Sequence, residues 1–147
     1  MKTYECFSNS SEDTKQIAEN LSKTLKGGEV LLAIGPMGAG KTAFCQGLGK
    51  GLGVNKVINS PTFNLIKIYK GNPLILYHVD CYRLENADSE RKDLGLDEVL
   101  GDKNVITYIE WPMFADSSVL NYHPVIKINI TYVDEFKRKL VIEDERQ

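Results

Sequence analysis

Residues 35 to 42 read Gly-Pro-Met-Gly-Ala-Gly-Lys-Thr, two glycines five positions apart followed directly by a lysine and a hydroxyl. At this spacing, G-x-x-x-x-G-K-[ST], a loop can fold around a polyphosphate. Gly35 and Gly40 supply backbone angles that other residues resist, so the amides along Gly38, Ala39, Gly40, Lys41, Thr42 and Ala43 can turn inward on the anion. The helix that follows presents its positive N-terminal end to the same charge. Lys41 would reach the outer phosphates and the Thr42 hydroxyl would bind Mg²⁺, so the chemistry expected is capture of a magnesium-loaded nucleoside triphosphate.

Such a site needs an acid at the end of a neighbouring apolar strand to hold the metal or orient an attacking water. Two qualify: Asp80, after Leu74 to Val79, and Glu110, after Val105 to Ile109. Either alone reads equally well as an ordinary strand-end carboxylate facing solvent. Beside a phosphate loop in a small sheet, both are expected in the site, as metal contacts and catalytic groups with Lys41.

These residues need elements to carry them. Val30 to Ile34 is a continuous apolar run, too short for a typical helix and suited to a strand buried on both faces. After the loop, Phe44, Leu48 and Leu52 recur every four residues, giving a helix with one face on the sheet, although Gly47, Gly49, Gly51 and Gly53 weaken it and suggest close packing or fraying. Thr3 to Phe7 reads as a strand. Ser10 or Ser11 can then cap a helix striped by Ile17, Leu21 and Leu25 and ended by Gly27 and Gly28. Phe63 to Tyr69 and Leu74 to Val79 flank Lys70-Gly71-Asn72-Pro73 as a hairpin, and Val125 to Val133 and Phe136 to Ile142 flank Asp134-Glu135 as another. Glu85 to Lys92 reads as a surface helix and Glu143 to Gln147 as a solvated tail. The fold class expected is α/β: a single domain over residues 1 to 147, built like the phosphate-loop triphosphatases, with a mixed sheet of parallel core and antiparallel hairpins flanked by helices.

Composition narrows the function. The chain has 147 residues, 42% hydrophobic and 26% charged, enough for one core. No apolar run reaches the roughly 18 residues of a membrane span, so a cytoplasmic location is expected. Cys6, Cys45 and Cys81 are far apart and form no zinc or redox pair. With a net charge of −2, the chain lacks the basic surface from which nucleic-acid binding draws most of its affinity, so any RNA should be held by a partner. Asn55-Lys56-Val57-Ile58 lacks the aspartate of the guanine-reading N-K-x-D pattern, and GTP is not expected. Small kinases of this class close an arginine-bearing lid over the phosphates. Here Arg83, Arg91, Arg138 and Arg146 are scattered, which leaves a kinase for a small alcohol or nucleoside as the alternative, with a nucleotide-gated binding module behind it.

Gly38-Ala39-Gly40-Lys41-Thr42, Ser60-Pro61-Thr62-Phe63, Tyr77-His78-Val79-Asp80-Cys81-Tyr82-Arg83-Leu84 and Ile109-Glu110-Trp111-Pro112 together resemble the bacterial TsaE (YjeE) family of tRNA threonylcarbamoyladenosine biosynthesis ATPases. The resemblance takes in Leu94 to Glu98 and loosens after Pro112. The chain departs from the usual wording at Pro36-Met37, Ala43, Val79 and Cys81, without losing a required functional group. The resemblance implies an Mg²⁺-dependent ATPase, weak alone, that works with TsaB and TsaD as they modify adenosine 37 of certain tRNAs, reaching the tRNA only through that complex. It implies that Thr42 and Glu110 hold Mg²⁺ with Asp80 beside them, that Ser60-Pro61-Thr62 is a switch segment whose hydroxyls sense the γ-phosphate, and that Ser11, with Ser10 and Thr14, begins the adenine pocket. His78 reads as a packing residue of its strand. Trp111 reads as either core or partner contact.

Overall fold

The apolar run after Glu29 becomes the centre of the molecule. In the computed structural model, which describes residues 1–61, 65–84, 95–115 and 117–147, strand β2 (Val30–Ile34) is flanked on both sides by parallel strands, β5 (Val105–Glu110) and β6 (Ile126–Tyr132). Strand β4 (Ile75–Asp80) extends the parallel core beyond β5. Antiparallel strands complete the sheet: β3 (Ile66–Lys70) on β4, β7 (Arg138–Asp144) on β6, and β1 (Lys2–Ser8) on β7. The order is β1-β7-β6-β2-β5-β4-β3. Both expected hairpins form, and the mixed sheet matches the class read from the sequence.

Alternation along the strands divides the core between two faces. Leu31, Ala33, Leu76, Ile106, Tyr108, Ile126 and Ile128 pack under helices α1 (Ser11–Ser22) and α2 (Lys41–Gly51). Val30, Leu32, Val79, Ile109 and Val125 face the opposite layer of short turns, which contributes Leu84, Leu96, Ala115 and Val119. The α2 glycines serve close packing: a Cβ at Gly47 would sit 2.1 Å from the Lys15 carbonyl oxygen, so α1 can cross α2 only where that carbon is missing.

Two boundaries differ from expectation. Helix α1 is capped by Ser10, whose Oγ accepts the Asp13 N–H at 3.1 Å, but it ends at Ser22. There the hydroxyls of Ser22 and Thr24 bond back to the carbonyls of Glu19 and Leu21 and favour a turn over further helix. Leu25 is still buried, and Gly27 and Gly28, with φ of +116° and +91°, form the turn into β2. Nor is Glu143 to Gln147 a solvated tail. Strand β7 runs to Asp144, and Arg146 donates to Asp144 (2.8 and 3.0 Å) and to the Thr24 carbonyl (3.1 Å), and pairs with Glu29 at 3.6 Å. A charged terminal run reads as solvated by composition; here its partners come from a turn some 120 positions earlier. The expected Glu85 to Lys92 helix lies outside the described residues. The three cysteines form no disulfide, Cys45 and Cys81 being buried, and no described helix is long and apolar enough to cross a membrane.

Candidate functional site

Parallel strands end together, and β2, β4 and β5 deliver their C-terminal residues to one edge of the sheet. In that register Ala33 lies beside Glu110, and Glu110 beside Asp80. The chain leaves β2 at Gly35, turns through residues 36 to 40 and enters α2 at Lys41. Gly40 holds φ +113° and Gly38 φ +78°, conformations open to glycine. Gly35 meets a different constraint from the one expected: its φ is not in the left-handed region, and a Cβ there would lie 2.4 Å from the Ile130 carbonyl oxygen of β6. It is required by close approach.

Between this loop and the ends of β4 and β5 lies a cleft of about 360 Å³, lined by Gly38, Gly40, Lys41, Thr42 and Ala43 from one side and by Ser60, Asp80, Glu110 and Trp111 from the other. The Lys41 ammonium donates to the carbonyls of Gly35 (2.6 Å) and Pro36 (2.9 Å) and lies 4.3 Å from the centre of the Trp111 ring. Burial pulls its pKa below the usual lysine value, while Glu110 and Asp80 act to hold it up. Asp80 accepts the Tyr82 backbone N–H on Oδ1 at 3.0 Å and the Ser60 hydroxyl on Oδ2 at 3.4 Å. Burial raises its pKa above the ordinary carboxylate value, the Tyr82 bond opposes this, and Glu110 adds to the rise. Glu110 is buried, with Oε2 bonded to His78 Nε2 at 2.5 Å. The donors facing the cleft, the Thr42 hydroxyl and two carboxylates, are hard oxygens. Among the described residues no group of three His, Cys, Asp or Glu side chains is assembled to hold a metal unaided. Such a set fits Mg²⁺, which keeps several waters and takes one or two carboxylates plus phosphate oxygens.

The other expected residues are divided. Ser11 lies across the loop, in a recess of about 100 Å³ shared with Ser10, Thr14, Ala39, Ala43 and Arg138. Thr62 lies outside the described residues, as does the Arg83 side chain. Three site residues were not expected. Trp111, at φ +55° immediately after Glu110, stacks on Phe114 (centroids 5.9 Å apart) and covers Lys41. Tyr108 is fully buried, and its hydroxyl donates to the Lys41 carbonyl at 2.6 Å, tying β5 to the start of α2. Tyr132, on β6, donates to the Met37 carbonyl at 2.7 Å and steadies the loop from outside. Tyr108 was within reach of the sequence, since the period of two puts it on the face of Glu110. Tyr132 carries no such signal.

The family model described as threonylcarbamoyl adenosine biosynthesis protein TsaE matches residues 8–140, further into the C-terminal strands than the motifs alone indicate. A Bacillus subtilis protein named tRNA threonylcarbamoyladenosine biosynthesis protein TsaE is 46% identical over 100 residues, 68% of this chain and 61% of that protein. Its namesake from Rickettsia bellii is 38% identical over 141 residues, 93% of this chain and 92% of that protein. The crystal structure of Bacillus subtilis YdiB superposes with a TM-score of 0.79 at 30% identity, covering 99% of this chain and 87% of that one. A family match spanning all the cleft-forming elements, with a 38% identical relative alike over 92% of its length, establishes that this chain belongs to the TsaE family.

Proposed function

We propose that the chain binds ATP with Mg²⁺ in the cleft and hydrolyses it, as the ATPase that supports TsaB- and TsaD-type proteins in threonylcarbamoyladenosine modification of tRNA in the cytoplasm. One observation carries this: Lys41, Thr42, Asp80 and Glu110, drawn from three separate stretches of chain, line one cleft at the edge where the parallel strands end. The amides from Gly38 to Ala43 cradle the phosphates, and Lys41 turns from the loop carbonyls to the outer phosphates. Thr42 and Glu110 would hold Mg²⁺, with Asp80 as a further contact or as the group that orients water. The ion would neutralise charge on the outer phosphates as the terminal one departs. Ser11 and its recess lie where the adenine end of the nucleotide would extend, and Thr62 belongs to the segment that senses the γ-phosphate.

The names of the relatives place them in biosynthesis of the modified nucleoside. A chain with net charge −2 would meet tRNA through its partners. The test is ATP turnover by the purified chain, alone and with both partners. Slow release of phosphate that rises when the partners are added is expected, and absence of both complex and stimulation would overturn the proposal. Transfer of phosphate to a small alcohol or nucleoside would instead favour a kinase.

A further inference from the structure

His78 is fully buried, and its two ring nitrogens fare differently. Nε2 is bonded to Glu110 Oε2 at 2.5 Å, whereas buried Nδ1 has no partner among the described residues. A histidine kept only for packing would satisfy both nitrogens or give way to an apolar residue, since an unpaired buried polar atom costs stability. The place is also specific. His78 and Asp80 share the α2-side face of β4, Tyr108 and Glu110 the same face of β5, and His78 is in register with Tyr108. The imidazole therefore reaches forward along the sheet to the carboxylate at the strand end. Tyr108 holds its plane from the side, with ring centroids 5.7 Å apart at 65°.

From this geometry we propose that His78 is a positioning residue: its Nε2–H anchors one oxygen of Glu110 and leaves the other aimed into the cleft, toward the metal and the reacting water. A carboxylate offers only acceptors, so Nε2 carries the hydrogen. An unanchored Glu110 would turn among several rotamers beside Asp80, its neighbour in register and another acid. Partners that orient a ligating carboxylate typically govern metal affinity or activity by about 10- to 100-fold. The proposal rests on the ATP-hydrolysing reading of the cleft and adds to it a residue that touches neither nucleotide nor metal.

The test compares His78→Leu, His78→Gln and Glu110→Gln in the full chain with partners. For His78→Leu, kcat should fall about 10- to 100-fold while KM for ATP moves less than about threefold, and the Mg²⁺ concentration that half-saturates ADP binding should rise about tenfold. His78→Gln, which restores an N–H donor, should recover part of both losses. In a Glu110→Gln background, His78→Leu should add nothing. A readout independent of turnover is the His78 Nε2–H proton by NMR in nucleotide-free protein, slow to exchange and shifted by Glu110→Gln. If Glu110→Gln alters turnover and Mg²⁺ dependence but His78→Leu leaves both at wild type, the positioning role is overturned and the ATPase reading stands. If Glu110→Gln is silent, the assignment of Glu110 fails and the positioning role with it. If His78→Leu lowers stability and nucleotide affinity together, with no recovery in His78→Gln, the residue is merely structural.

Discussion

Lys41 sits between opposing influences. Burial disfavours its charge, the two carboxylates favour it, and two loop carbonyls and the Trp111 face hold it. Removing it should cost the nucleotide its main charge-assisted contact: for Lys41→Ala, ATP affinity by calorimetry should fall by about 2 kcal/mol or more, roughly thirtyfold. On the proposed reading the acids would act later in the cycle. Asp80→Asn and Glu110→Gln should bind ATP within a few-fold of wild type yet hydrolyse it about a hundredfold more slowly, and wild-type rates in single-turnover assays of both would show that neither takes part. That Lys41 and Thr42 line the cleft was legible in the sequence because a contiguous loop carries its own geometry. That Asp80 and Glu110 line it was legible because a strand's end is marked where its apolar run stops. Trp111 could not be assigned: whether it faces core, partner or lysine depends on its left-handed backbone, which a tryptophan does not announce.

Among the elements, the decisive contact is α1 on α2, which brings Ser11 and Thr14 beside the glycine loop. Gly47→Ala tests it with opposing effects. Alanine gains about 1 kcal/mol in helix propensity, but its Cβ would meet the Lys15 carbonyl at 2.1 Å, and backbone cannot rotate away. Overpacking should win, for a net loss of about 2 kcal/mol read as a lower urea midpoint. At the opposite end of the sheet, Arg146 joins the last strand to the turn after α1. Its side-chain bond holds the Asp144 carboxyl below the usual pKa. A carboxyl lowered on folding adds stability above its unfolded pKa and loses it as pH falls through the folded value. Arg146→Ala should therefore lower Tm by about 3 °C at pH 7, for a pair worth about 1 kcal/mol. That difference should shrink on acidification below the ordinary carboxylate range. An offset that persists at low pH would assign the effect to packing of the arginine stem.

At the scale of the whole molecule, a seven-stranded sheet gathers residues from positions 35, 80 and 110 onto one edge while covering both its faces. Net charge bears on partners at this scale too. The isolated chain should fail to retain tRNA at physiological salt in a gel-shift assay, and tight salt-sensitive retention by the chain alone would contradict an indirect role. The sequence by itself determined the glycine loop between strand and helix, the strands around it and the mixed sheet, because hydrophobic period, glycine spacing and turn residues act over a few neighbouring positions. Only the tertiary structure decided that Gly35 is needed for its approach to Ile130, that Arg146 is anchored, that Tyr108 and Tyr132 brace the loop, and that His78 meets Glu110. Each of these joins groups far apart in the chain, and strand order and register, which no local pattern encodes, set the distance between them.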